Sequence, residues 1–186
     1  MRAILLGLLI LTACSHPSNR AQDITNPYLP PSVGDRVSLL EPLTLLGETT
    51  RIFLQDGKAM TLTAFDRYKP NCNFEVRTLK PEPQTIEPDE FIIKRVQSLM
   101  VEVVRHEVPD RGGLMRVGMD DSGSTLVTRG YHLWLESEKQ PDVMRLSCRG
   151  AFDDMWNATP PSIQEIEQTL GLLARLVRGS LVAQSL

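Results

Sequence analysis

Thr50-Arg51-Ile52-Phe53-Leu54-Gln55-Asp56-Gly57-Lys58-Ala59-Met60-Thr61-Leu62 reads as two short strands folded back on each other. A two-residue hairpin turn of type I′ needs positive φ at both central positions. Asp-Gly supplies them, because Gly has no Cβ to clash and Asp tolerates the left-handed region. Working outward, Cys72, Phe74 and Val76 alternate with Asn73, Glu75 and Arg77, the period of two expected of a strand with one buried face. Val37 to Leu40 and Leu43 to Leu46 flank Glu41-Pro42. Phe91 to Val96 and Leu99 to Arg105 are rich in β-branched residues. Tyr131 to Glu136 and Val143 to Cys148 complete the set, with Met144, Leu146 and Cys148 expected on one face. Short apolar segments at this spacing, punctuated by turn residues, predict a mainly β fold: an antiparallel β sandwich or barrel-like domain.

After Pro160-Pro161 the period changes to about 3.6. Ser162, with Glu165 three residues on, forms a capping box. Ile163, Ile166, Leu170, Leu173 and Val177 then line one stripe. The pattern predicts a C-terminal α-helix over 162–178, with Arg175 and Arg178 near its negative end and Gly171 as a weak point. The stripe either packs on the β core or is offered to a partner chain.

The N-terminus carries an address. Arg2 is followed by an apolar run from Ala3 to Leu11, the length of a signal-peptide core and too short to span a bilayer. It ends Leu11-Thr12-Ala13-Cys14, which resembles a bacterial lipobox: an aliphatic residue, two small ones and a cysteine that is diacylated on sulfur (palmitate and related chains), freed by cleavage before it and N-acylated. Residues 1–13 would be the signal peptide, and Cys14 the lipidation site. Residues 14–34, rich in Pro, Ser and Asn, would form a flexible tether, with a single domain over 35–186. Ser15 after the lipidated cysteine resembles the outer-membrane default of enteric-type sorting. The resemblance implies a lipoprotein of the cell outer membrane, anchored to the membrane through Cys14 and facing the periplasm. Arg2 is the only charge lost on cleavage, so 20 basic and 23 acidic residues become 19 and 23. That mild acidic excess, without a basic run, argues against nucleic acid as a partner.

With Cys14 consumed by lipid, Cys72 and Cys148 are left as a pair in an oxidising compartment, and we expect them to be disulfide-bonded. A loop this long would contribute roughly 4–5 kcal/mol in the chain-entropy model. A reactive thiol pair is the competing reading, but neither a C-x-x-C spacing nor an adjacent His or Lys supports it. Both cysteines fall on the apolar faces of their strands, which suits a bridge between facing layers or neighbouring strands.

Other chemistry finds little footing. His16 lies in the tether, His106 has no second His four residues on, and His132 sits in a strand, so no metal centre is expected. Asp120-Asp121-Ser122-Gly123-Ser124 concentrates carboxylates and hydroxyls but lacks both the G-x-S-x-G elbow and the bidentate Glu of a calcium loop, and reads as a hairpin tip. Asp153 and Asp154, before Met155-Trp156, resemble a solvated turn. No phosphate-binding glycine motif occurs, so neither a cofactor nor catalytic residues are expected. His132, Trp134 and Glu136 share the strand face opposite Tyr131, Leu133 and Leu135. This polar and aromatic stripe is a candidate partner surface, the alternative being a tryptophan packed under a loop or helix.

Arg51 to Gly57, Phe65-Asp66-Arg67-Tyr68-Lys69-Pro70-Asn71-Cys72-Asn73-Phe74-Glu75-Val76, Pro83 to Ile86 and Cys148 together resemble a small family of uncharacterised proteobacterial lipoproteins, over about half of the mature chain. The resemblance implies a lipoprotein and supplies no activity. The function expected is a non-catalytic binding or scaffolding module that contacts other envelope proteins. Two alternatives remain open, an envelope hydrolase and a carrier of a small apolar ligand.

Overall fold

The computed structural model describes residues 29–103 and 125–179. Its elements are β1 (Arg36–Leu39), β2 (Leu43–Leu45), β3 (Arg51–Gln55), β4 (Lys58–Met60), β5 (Asn71–Val76), β6 (Gln84–Ile86), β7 (Asp89–Val103), β8 (Leu126–Glu136), β9 (Val143–Arg149), β10 (Asp153–Asp154), α1 (Ile163–Leu170) and β11 (Ala174–Val177). Eight strands run in the order β11-β1-β7-β8-β9-β5-β3-β4, every pair antiparallel, and curl into a half-barrel. The fold is thus mainly β with one short C-terminal helix. β2 and β6 form a separate antiparallel ribbon.

The opening hairpin forms as its sequence requires. Asp56 and Gly57 both have positive φ, 51° and 71°, and Phe53, Leu54 and Gln55 pair with Met60, Ala59 and Lys58. β5 then adds to the other side of β3, placing Ile52 opposite Phe74 and Leu54 opposite Cys72. Alternation sends these side chains to one face of the sheet. There they join Val37, Leu39, Phe91, Ile93, Leu133, Leu135 and Leu146 in one buried cluster.

Two pieces close that face. The β2–β6 ribbon contributes Leu43, Leu45 and Ile86, and α1 contributes Ile166 and Leu170, both fully buried. Ile163 and Leu173 pack against the cluster's edge. The stripe is therefore covered by the chain's own core. The capping box is present: Ser162 Oγ accepts from the Glu165 amide, and the Ser162 amide donates to the Glu165 carboxylate.

The helix expected over 162–178 is corrected at its second half. α1 ends at Leu170, because Gly171 adopts φ 57° and ψ −130° and reverses the chain. A Cβ on Gly171 would lie 2.4 Å from Gly57 Cα, so the helix terminus and the hairpin tip meet backbone to backbone, where the Gly57 amide also donates to the Thr169 carbonyl. Residues 174–177 then form β11, an edge strand on β1 in which Ala174 and Leu176 point inward and Arg175 and Val177 outward. Arg175 and Arg178 consequently do not serve a helix end. Arg178 pairs with the buried carboxylate of Asp35 at 3.0 Å and donates to the carbonyls of Leu29 and Pro30, tying the last residues of the expected tether onto the domain.

Three smaller differences concern strands. Phe91–Val96 and Leu99–Val103 belong to one long strand, β7, whose pairing with β8 slips by one residue between Ile93 and Arg95, and the last two residues of the expected Leu99–Arg105 segment lie outside the described residues. A similar slip between β5 and β9 seats Val143, rather than Met144, in the core. Asp153 and Asp154, expected in a turn, pair with Val127 and Leu126, so that β10 continues the line of β9 along β8 after a break at Gly150.

Cys72 and Cys148 stand directly opposite each other on β5 and β9, Cα to Cα 4.1 Å, and are disulfide-bonded. The bridge joins neighbouring strands of one sheet and lies wholly within the apolar cluster.

Candidate functional site on the open face of the sheet

The alternation that fills the core sends a second set of side chains to the opposite face. Across β7, β8, β9, β5 and β3 these form a cross-strand row: Arg95 is opposite Trp134, Trp134 opposite Arg145, Arg145 opposite Glu75, and Glu75 opposite Arg51. Direct cross-strand neighbours lie close enough for side chains to interact, and here they do. The Arg95 guanidinium lies 4.2 Å from the centroid of the Trp134 ring, and that of Arg145 lies 5.3 Å from it. Trp134 Nε1 donates to Gln97 Oε1 at 3.4 Å. Arg145 and Arg51 grip the two oxygens of Glu75 at 2.7 and 2.9 Å.

Glu75 is buried, and burial alone would raise its pKa. The hydrogen bonds from Arg145 and Arg51, with their charges, outweigh that cost and hold the carboxyl below the ordinary range. It is ionised at neutral pH.

Two residues further along β8 and β9, on the same face, His132 Nδ1 and Ser147 Oγ share a hydrogen bond of 2.7 Å. Burial, then the charges of Arg145 and Arg149, push the imidazole pKa down against a smaller opposing effect of Glu75. His132 is therefore neutral at pH 7. A serine hydrogen-bonded to a neutral histidine is half of a nucleophilic constellation. However, Ser147 is only 2 % exposed, and among the described residues no carboxylate bonds the other ring nitrogen. The pair as placed links β8 to β9.

The expected surface residues thus fall into different surroundings. His132 and Trp134 are half-buried, and Glu136 is exposed at the end of the row in an ion pair with Lys94 at 3.1 Å. No helix or loop among the described residues covers Trp134, which lies instead between two guanidiniums. Residues the sequence reading left out complete the site: Arg95, Arg145, Glu75, Arg51 and Arg149. The outward positions of Arg51, Glu75, Arg145 and Arg149 were legible in the strand alternation, whereas Arg95 points outward only because of the slip after Ile93, and the adjacency of all five depends on strand order.

Arg149, unlike Arg51 and Arg145, makes no ion pair among the described residues. It follows Cys148 at the end of β9, half-buried, and its Nε finds no hydrogen-bond partner among the described residues. Burial and the nearby guanidiniums of Arg51 and Arg145 hold its pKa below the usual arginine range.

No group of three or more His, Cys, Asp or Glu able to hold a metal occurs among the described residues, and no described helix is long and apolar enough to cross a membrane. Cys14, His16, His106 and the loop 120–124 lie outside the described residues. Comparison of the chain with protein-family models, curated proteins and solved structures found no match.

Proposed function

We propose that this protein is a non-catalytic binding module of the cell envelope, held to the outer membrane through a lipidated Cys14, and that its partner surface is the open sheet face centred on Trp134. The observation carrying this reading is the Arg95–Trp134–Arg145 stack on a face that no described helix covers. Interface hot spots are enriched in Trp and Arg, since a large rigid ring and planar guanidiniums present much contact area for little lost side-chain freedom. The Glu75 ion pairs and the backing core fix these groups before any partner arrives, which lowers the ordering cost of binding.

The membrane address rests on the Leu11-Thr12-Ala13-Cys14 sequence and its apolar lead. Cys14→Ala should move the protein from the membrane to the soluble or uncleaved fraction, and intact mass should show acyl chains on native Cys14. An unmodified Cys14 in native protein would remove the anchor from the proposal.

Crosslinking in intact cells followed by affinity purification tests the surface. Wild type should capture a reproducible envelope protein that Trp134→Ala, with an unchanged melting temperature, no longer captures. Equal capture by both would move the partner surface elsewhere. The Ser147–His132 contact favours one second reading, a hydrolase. A fluorophosphonate probe that labels wild type and not Ser147→Ala would establish it, and we expect no labelling.

A further inference from the structure

Beside the Trp134 row, the same open face deepens into a groove of about 370 Å³. Val101 and Val103 of β7 line it together with Arg51 and Phe53 of β3, although β8, β9 and β5 lie between those strands in the sheet. The sheet is therefore dished here, and the long β7 reaches over toward β3. Phe65 closes one side, stacked on Phe53 at 4.2 Å between ring centroids, and Phe152 closes another, against Tyr68. Gln55 holds the segment carrying Phe65 in place through bonds to Asp66 and Pro70. A second hollow of about 260 Å³ shares Arg51, Phe53 and Leu62 with the first and is mostly apolar.

Charge is unbalanced at one end of this groove. Arg51, Arg145 and Arg149 surround a single carboxylate, Glu75, whose two oxygens are taken by Arg51 and Arg145. Arg149 lines the groove with its Nε shielded from water and unpaired among the described residues. A partly buried cation whose neighbouring charges are mostly other guanidiniums is costly, and an anion seated against it relieves that cost. Arg67 stands exposed on the same rim, and Glu102 is the one acidic residue among the described lining. Aromatic and aliphatic walls cover the remainder.

We propose that this groove binds a single-chain amphiphile, an anionic head of carboxylate or phosphate-monoester type on a short apolar body, with the head at Arg149 and Arg67 and the body against Phe53, Phe65, Leu62 and Val101. The volume lies at the lower end of the roughly 300–1,000 Å³ typical of small-molecule sites, which suits one short chain. The groove shares Arg51 and Arg149 with the open face but does not include Trp134, Arg95 or Arg145, so binding here can fail without loss of contacts at Trp134, and the reverse.

Calorimetric titration of the full chain carrying Cys14→Ser, with laurate below its micellar concentration, tests the proposal. Dodecyl phosphate, dodecyl maltoside and inorganic phosphate serve as parallel probes. Laurate or dodecyl phosphate should bind one to one, and whichever is tighter identifies the head. Arg149→Gln should weaken that binding at least about tenfold, the usual consequence of losing a charge-assisted hydrogen bond. The exposed changes Arg67→Gln and Leu62→Asp, which leave the core untouched, should weaken it by about threefold and about tenfold. They keep the test open if Arg149→Gln does not fold. The proposal is overturned by the absence of saturable binding, by equal affinity in the Arg67 and Leu62 variants, by phosphate alone matching laurate, or by the uncharged maltoside matching it.

Discussion

The two faces of β5 reach the same burial by opposite chemistry. All six residues from Asn71 to Val76 are buried, but Cys72, Phe74 and Val76 are sealed by packing under α1 and the β2–β6 ribbon, whereas Glu75 is covered by the arginines that pair with it. The closed face is held by contacts that depend on volume and exclude water. The open face is held by contacts that depend on charge and stay close to solvent. The chain can therefore be altered on the open face without losing its fold, and function has room to reside there.

The closed face should break most easily. Leu170→Asp would place an unpaired charge in the fully buried contact between α1, β3 and β5, and should destabilise the protein by about 4 kcal/mol or more in denaturant unfolding. A change under about 1 kcal/mol would mean that the helix does not seal the core. Cys148→Ser should cost next most, roughly 2–5 kcal/mol, the usual cost of losing a native bridge that closes a long loop in the unfolded chain. Non-reducing peptide mapping should find Cys72 and Cys148 joined, and two free thiols there would contradict the account.

The open face should respond less, and with a dependence on pH. Glu75→Gln keeps the side-chain shape but removes the charge between two guanidiniums, and should cost about 1–2 kcal/mol at pH 7. The folded pKa of Glu75 lies below its ordinary value of 4.5, so its contribution is fully present above that pH and fades as pH falls through the folded value. Wild type and variant should therefore converge on acidification. A constant difference down to pH 3 would show that charge is not what Glu75 contributes. Trp134→Ala should have the smallest effect on stability, about 1 kcal/mol or less, since it removes a half-exposed ring and two cation–π contacts. A larger loss would make the tryptophan part of the fold's support.

Local chemistry made the closed face readable in advance. Asp56-Gly57 dictated its own turn, and Cys72, Phe74 and Val76 declared their face by spacing alone. Ser162 and Glu165 marked the start of the helix. Its end was less plain, because Leu173 and Val177 continue a helical period while Ala174 to Val177 also fit an alternating strand. Gly171 decides between them by adopting a backbone conformation that halts the helix and by meeting Gly57 closely. That contact is 114 residues away in sequence and invisible before folding. The same distance problem hides most of the open face. His132, Trp134 and Glu136 lie on one strand and could be grouped by alternation, but Arg51, Glu75 and Arg145 come from three strands whose order no local signal states.

The reading stands or falls on whether the open face around Trp134 is the surface that meets a protein partner. Incorporating a photo-crosslinking amino acid at position 134, and separately at the exposed position 172 in the turn between α1 and β11, measures this directly in living cells. The account predicts a discrete higher-mass adduct on irradiation from position 134 and none from position 172. No adduct from 134, or the same adduct from both positions, would contradict it.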